Sequence, residues 1–115
     1  MKEFMLIFLG KDYQDLGLSP EQMQERMGKW FAWNQKMQEQ GVVMHGSALT
    51  PHVRHISGQD RTVTDRNFSD LKEIVGGYYQ VKAKDLDAAC EIAQDYPDFD
   101  LDGTVEVREV MIFDN

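Results

Sequence analysis

Three histidines stand close together in the middle of the chain: His45, His52 and His55. A neutral imidazole ligates metal ions, and imidazole titrates near working pH, so the cluster offers two chemistries, metal binding and proton transfer. His52 and His55 are three apart in a stretch with strand character, which sends their side chains to opposite faces. A shared ion would need a bend there, so no metal site is expected. His45 adjoins Gly46, which leaves the ring uncrowded, and Asp65 opens the loop ahead of a long apolar segment. A histidine oriented by a carboxylate is the usual equipment for general acid–base catalysis, which makes His45 and Asp65 the candidate catalytic pair. Arg54 and Arg66 are the candidate substrate contacts, because a guanidinium fork suits a carboxylate and thus a small anionic metabolite. Against this stands the plainer reading that His45 hydrogen-bonds within its sheet.

The other chemistry-bearing residues are less specific. Asp98, Asp100, Asp102, Gly103 and Glu109 follow the spacing of a calcium-binding loop. Such a loop is flanked by helices, whereas Thr104 to Glu109 alternates like a strand, so a solvated acidic loop is expected. Cys90 falls within the apolar stripe of a helix and reads as a core thiol. The chain has no phosphate-binding glycine loop, dinucleotide fingerprint or paired Cys-x-x-Cys, so no cofactor is expected.

The elements that must position these residues are well marked. Phe4 to Leu9 is a run of large apolar residues ending at Gly10, with both alternating sets apolar, which describes a strand covered on both faces. Ser19-Pro20-Glu21-Gln22 is a capping box with proline in the first turn. The helix it starts should run to about Gln40 and stop at Gly41. Met23, Met27, Trp30 and Met37, widened by Phe31 and Trp33, form its apolar stripe. Gly41 to Leu49 reads as a strand, followed by short strands at His52–Ile56 and Arg61–Thr64 around a turn. Ile74 to Ala83 is a long strand with Tyr79, Val81 and Ala83 on one face. In it Gly76-Gly77 permits a bulge or close packing. Asp85 caps a second helix that buries Leu86, Ala89, Cys90 and Ala93. Tyr96 to Gly103 is a loop, and Thr104 to Phe113 a last strand whose alternation slips after Glu109.

The order is β-α-β, an inserted short hairpin, then β-α-β. The fold class is therefore α+β, a ferredoxin-like sheet with helices on one face. The doubly apolar first strand needs a second cover, and another copy of the same sheet supplies one, so a homodimer is expected.

The composition agrees with one globular domain spanning residues 1–115. With 42% hydrophobic and 28% charged residues the chain is neither disordered nor fibrous. Twelve basic against 20 acidic residues give a net charge of -8, which argues against nucleic acid or anionic membrane as partner. A single cysteine excludes an internal disulfide. The first apolar run is too short for a signal peptide or a membrane span. A cytoplasmic protein is expected.

Asp65-Arg66-Asn67-Phe68-Ser69-Asp70-Leu71-Lys72-Glu73 resembles the DGPFAETKE signature of the YCII-related family. It keeps Asp65, Phe68, Lys72 and Glu73. Gly76-Gly77-Tyr78-Tyr79, Gly41-Val42-Val43, Gly46 to Pro51 and Val105-Glu106-Val107-Arg108 are similar to further segments of that family, in the same order. The resemblance implies a dimeric α+β barrel and little about activity. One branch is thought to use a helix histidine with an aspartate just before a proline, in dehydrochlorinase- or isomerase-like chemistry. This sequence departs from that pattern. Trp30 stands near the helix slot, Tyr96 precedes Pro97 with Asp95 and Asp98 only flanking, and Arg66-Asn67 replaces the Gly-Pro of the signature. His45 stands where a glycine is common. Two functions are therefore carried forward: a dimeric domain binding a small molecule without catalysis, and a lyase or isomerase working through His45.

Overall fold

The computed structural model describes residues 1–65 and 74–113. β1 (Lys2–Gly10) is followed by a short 3-10 turn over Tyr13–Leu16 and by α1 (Pro20–Glu39). The capping box forms in full: Ser19 Oγ accepts from the Gln22 backbone N–H at 3.1 Å, and Gln22 Oε1 accepts from the Ser19 N–H at 2.8 Å. At the other end Gly41, at φ +69°, closes a Schellman motif. Its N–H donates to the Gln38 carbonyl and that of Val42 donates to the Met37 carbonyl, satisfying two of the last helical carbonyls.

β2 (Val43–Ala48) leads into a hairpin of β3 (Arg54–Ser57) and β4 (Thr62–Asp65), which forms its own two-stranded sheet. β5 (Ile74–Ala83), α2 (Leu86–Ala93) and β6 (Thr104–Glu109) complete the described chain. Asp85 caps α2, its Oδ1 accepting from the Ala88 N–H at 2.8 Å. The main sheet has the order β2-β5-β1-β6 with every neighbouring pair antiparallel. β1 and β2 are thus parallel with β5 between them, and β5 and β6 are parallel with β1 between them. These are two interleaved split βαβ units, as in a ferredoxin-like fold.

The core lies on one face of the sheet. Phe4, Leu6 and Phe8 from β1 and Val81 and Ala83 from β5 are buried against Trp33 and Met37 of α1 and Ala89 and Ala93 of α2. Phe4, Leu6 and Val81 are fully buried, a placement that stabilises a fold by about 1.5–3 kcal/mol for each such side chain. The other side of β1 carries Met5, Ile7 and Leu9, which are only half-buried. Helices thus cover the Phe4–Leu6–Phe8 face, and the Met5–Ile7–Leu9 face carries no helix among the described residues.

Several local expectations are corrected. Phe31 is 72% exposed and Leu86 50% exposed, so neither belongs to the core stripe of its helix. β6 stops at Glu109, although the Val110 N–H still donates to the Glu3 carbonyl at 2.9 Å. The stretch Tyr96–Gly103 is not a solvated loop throughout. It contains a 3-10 turn over Pro97–Leu101 in which Asp98 is buried. The glycine pair serves both expected purposes: the β1–β5 register skips Gly76, and a Cβ at Gly77 would meet the Ser47 carbonyl oxygen at 2.7 Å. No helix among the described residues is long and apolar enough to cross a membrane.

Candidate functional site

A cavity of about 730 Å³ lies between α1 and the β2–β5 side of the sheet. Its aromatic wall is built outward from Phe8. The Tyr96 ring stacks on Phe8 at 5.2 Å and 16°, while Trp30 and Tyr79 meet the same ring edge-on at 5.2 and 5.7 Å. Glycines set the position of two of these rings. A Cβ on Gly46 would collide with the Tyr79 ring and with the Tyr78 carbonyl, and a Cβ on Gly103 would occupy the place of the Tyr96 hydroxyl. Gly46 is thus crowded, contrary to the expectation that it opens space beside His45.

One end of the cavity is polar. The Trp30 indole N–H donates to the Tyr13 hydroxyl at 2.9 Å, and that hydroxyl donates in a short hydrogen bond to Asp98 Oδ2. The 3-10 turn that holds Tyr13 starts at Asp12 and ends at Gly17, in the left-handed region at φ +64°. Asp98 is held from behind by the ion-pairing of Arg26. This guanidinium binds both oxygens of Asp100 at 2.6 and 3.0 Å, donates to the Pro97 carbonyl at 2.8 Å, and lies 3.5 Å from Asp98 Oδ1. Asp98 Oδ1 itself is buried without a hydrogen bond.

Burial dominates the electrostatics of this end. It holds the Asp98 carboxyl above the ordinary carboxylate range, against the opposing pull of Tyr13 and Arg26. Burial likewise pushes the Tyr13 hydroxyl up, and the hydrogen bond to Asp98 adds to the rise. Tyr96 is raised chiefly by burial and Tyr79 by burial alone. Asp100, bound by Arg26 at the surface, moves the other way and is lowered. The result is a neutral phenol donating to a carboxyl whose proton affinity is raised above the ordinary.

The residues singled out in the sequence are distributed differently. The cavity reaches the β2 edge at His45, but the His45 ring is edge-on to Tyr78, with Nδ1 3.5 Å from the Tyr78 hydroxyl, on the face of the sheet opposite Tyr79. Asp65 lies at the end of β4 in the separate hairpin, where its carboxylate accepts from Arg54 Nε at 3.2 Å in an exposed ion pair. His45 and Asp65 belong to different sheets, and each has found another partner. Arg66 and the signature-like stretch after Asp65 lie outside the described residues. The acidic residues with calcium-loop spacing face different partners: Asp98 meets Tyr13, Asp100 meets Arg26, and Asp102 takes a left-handed turn at φ 62°.

Tyr13 and Asp98 are functional candidates that the sequence reading missed. A signal was present, since Trp30 stands near the helix slot of the family pattern and Asp98 flanks Pro97. Both converge on Tyr13, but an indole in place of an imidazole donates a hydrogen bond and cannot shuttle a proton. A family model described as the YCII-related domain matches residues 4–114. A search of the curated proteins returned no match.

Proposed function

This chain belongs to the YCII-related family, and from that premise we propose that it binds a small organic molecule in the cavity between α1 and the β2–β5 side of the sheet, as a homodimer. The observation that carries the reading is the cavity: about 730 Å³, walled by aromatic rings, with a single buried carboxyl–phenol pair at one end. Ligand pockets typically fall between about 300 and 1,000 Å³ and combine an apolar lining with a few placed polar groups. Dimerisation is supported by the half-buried Met5, Ile7 and Leu9 on the helix-free face of the sheet. A cytoplasmic setting belongs to the same proposal and accords with a lone, unpaired Cys90.

Trp30 provides the test, because its indole N–H touches Tyr13 and its ring forms the wall. Fragments screened by heteronuclear NMR should shift the Trp30 Nε1–H resonance more than that of Trp33, which does not line the cavity and donates to the Ile92 carbonyl of α2. A screen in which no fragment moves Trp30 would remove the ligand-binding reading.

One observation favours a catalytic reading. His45, at the β2 edge of the cavity with its ring on the Tyr78 face of the sheet, keeps the imidazole of a lyase or isomerase that moves a proton between two sites on a substrate. In that reading His45 carries the proton, and Asp65, Arg54 and Arg66 are its candidate supports. Substrate screening followed by His45→Gln checks it, with a loss of about 10²-fold expected for a ring that transfers the proton.

A further inference from the structure

The polar end of the cavity has a fixed hydrogen-bonding polarity. Trp30 owns one side-chain donor, and Tyr13 accepts it. Tyr13 owns one donor, and Asp98 accepts it. Arg26 is hydrogen-bonded to Asp100 and the Pro97 carbonyl, lies 3.5 Å behind Asp98 Oδ1, and does not line the cavity. The Tyr96 hydroxyl lies against Gly103. Every donor of the Trp30–Tyr13–Asp98 chain is therefore consumed within the protein, whereas Asp98, a lining residue, keeps acceptor capacity, its Oδ1 having no hydrogen bond. A newcomer meets acceptor capacity here and no free donor of that chain.

We propose that the cavity selects a flat, uncharged ring carrying an N–H or O–H donor, which it presents to the Tyr13–Asp98 end, and that it disfavours carboxylate ligands at that end. The ring shape rests on the aromatic lining, since Trp30 and Tyr79 pack around Phe8 and all three line the cavity, where a planar aromatic guest can add to the cluster. Asn34, Gln38 and Ser47 further along the lining serve as either donor or acceptor, and Lys11 supplies a cation, so the fixed requirement arises at the carboxylate end alone. A ligand anion brought against Asp98 would place like charges together beside a buried carboxyl, whereas a neutral donor completes an existing chain. This inference rests on the ligand-binding reading above and specifies the chemistry that reading leaves open.

Three probes of nearly one shape test it: indole, benzofuran, which lacks the N–H, and indole-3-carboxylate, which adds a negative charge. Dissociation constants are measured by NMR titration on the Trp30 resonance, for the native protein and for Asp98→Asn. Indole should bind about tenfold or more tightly than either relative, as expected for a hydrogen bond to a charged acceptor. In Asp98→Asn, whose amide adds donors where the carboxylate had none, the preference should shrink toward unity. Equal affinity for indole and benzofuran in the native protein would overturn the inference while leaving ligand binding intact, and this comparison needs no variant to fold. Tighter binding of the carboxylate would overturn it as well. Binding of none of the three, with other fragments still shifting Trp30, would refute the donor rule. A Trp30 resonance that no fragment shifts would instead remove the reading on which it rests.

Discussion

The Tyr13 hydroxyl donates to Asp98 across 85 residues of sequence, joining the turn after β1 to the turn before β6. Neither turn would place its side chain there alone. Arg26 on α1 braces the same carboxyl, so three separate segments converge on one buried charge. Removing one partner from such a group leaves a desolvated charge uncompensated, which is why its ionisation should be visible in stability.

The raised Asp98 carboxyl sets a pH dependence with a definite sign. Its folded pKa lies above the unfolded value of about 3.9, so over the interval between them the folded state holds more protons. Stability contributed by this group is accordingly greatest below that interval and is lost as pH rises through the folded pKa. Urea unfolding of the native protein and of Asp98→Asn, compared from pH 4 to pH 7, should show the native protein losing ground to the variant as pH rises. A difference that is flat or runs the other way would contradict the assignment.

Two glycines of the sheet should respond unequally to the same substitution. A Cβ at Gly46 would meet the Tyr78 carbonyl oxygen at 2.6 Å as well as the Tyr79 ring, whereas Gly76 has open space and no positive φ. Gly46→Ala should cost about 1–3 kcal/mol in denaturant unfolding, the usual penalty of overpacking. Gly76→Ala should leave stability within about 1 kcal/mol of the native value, since the added methyl has room.

Ile7 tests the proposed dimer without touching the core. It pairs with Tyr78 and Glu106 on the open face of the sheet and is half-buried there. Light scattering coupled to size exclusion should report twice the chain mass for the native protein and a single chain mass for Ile7→Glu, because an uncompensated charge is costly to bury. A native protein that runs as a monomer at micromolar concentration would rule out the dimer.

The start of α1 depends on one hydroxyl. Ser19→Ala removes the bond to the Gln22 N–H and should lower stability by about 1 kcal/mol, the typical value of such a cap, with the cavity geometry unchanged. Circular dichroism melts measure the first effect, and the Trp30 resonance reports the second.

What the sequence determined by itself was everything carried by short-range rules. The helix start at Ser19 and stop at Gly41, the cap at Asp85, the strand from Ile74 to Ala83 and the split βαβ order depend on hydrogen bonds and periodicities spanning a few residues. A single chain displays these openly. The family resemblance came from the same local patterns read in order, and the match over residues 4–114 agrees with it. Gly46, read as freeing the histidine beside it, serves instead to admit the Tyr79 ring.

Only the tertiary structure decided which polar residues would meet. Asp98 looked like one member of an acidic, solvated run, and Tyr13 like an ordinary residue after a strand. Their partnership depends on β1 and β6 being neighbours in the sheet, and on α1 crossing so that Arg26 and Trp30 reach both. Exposure was decided in the same way: Phe31 and Leu86 sit on helices with the right spacing to be buried, yet the area of sheet beneath each helix is finite and filled by Trp33, Met37, Ala89 and Ala93. The physical reason is common to both cases. Local pattern fixes the direction in which a side chain leaves its element, whereas burial and the pKa shift that follows from it depend on what lies opposite, and that is set by contacts between residues far apart in the chain.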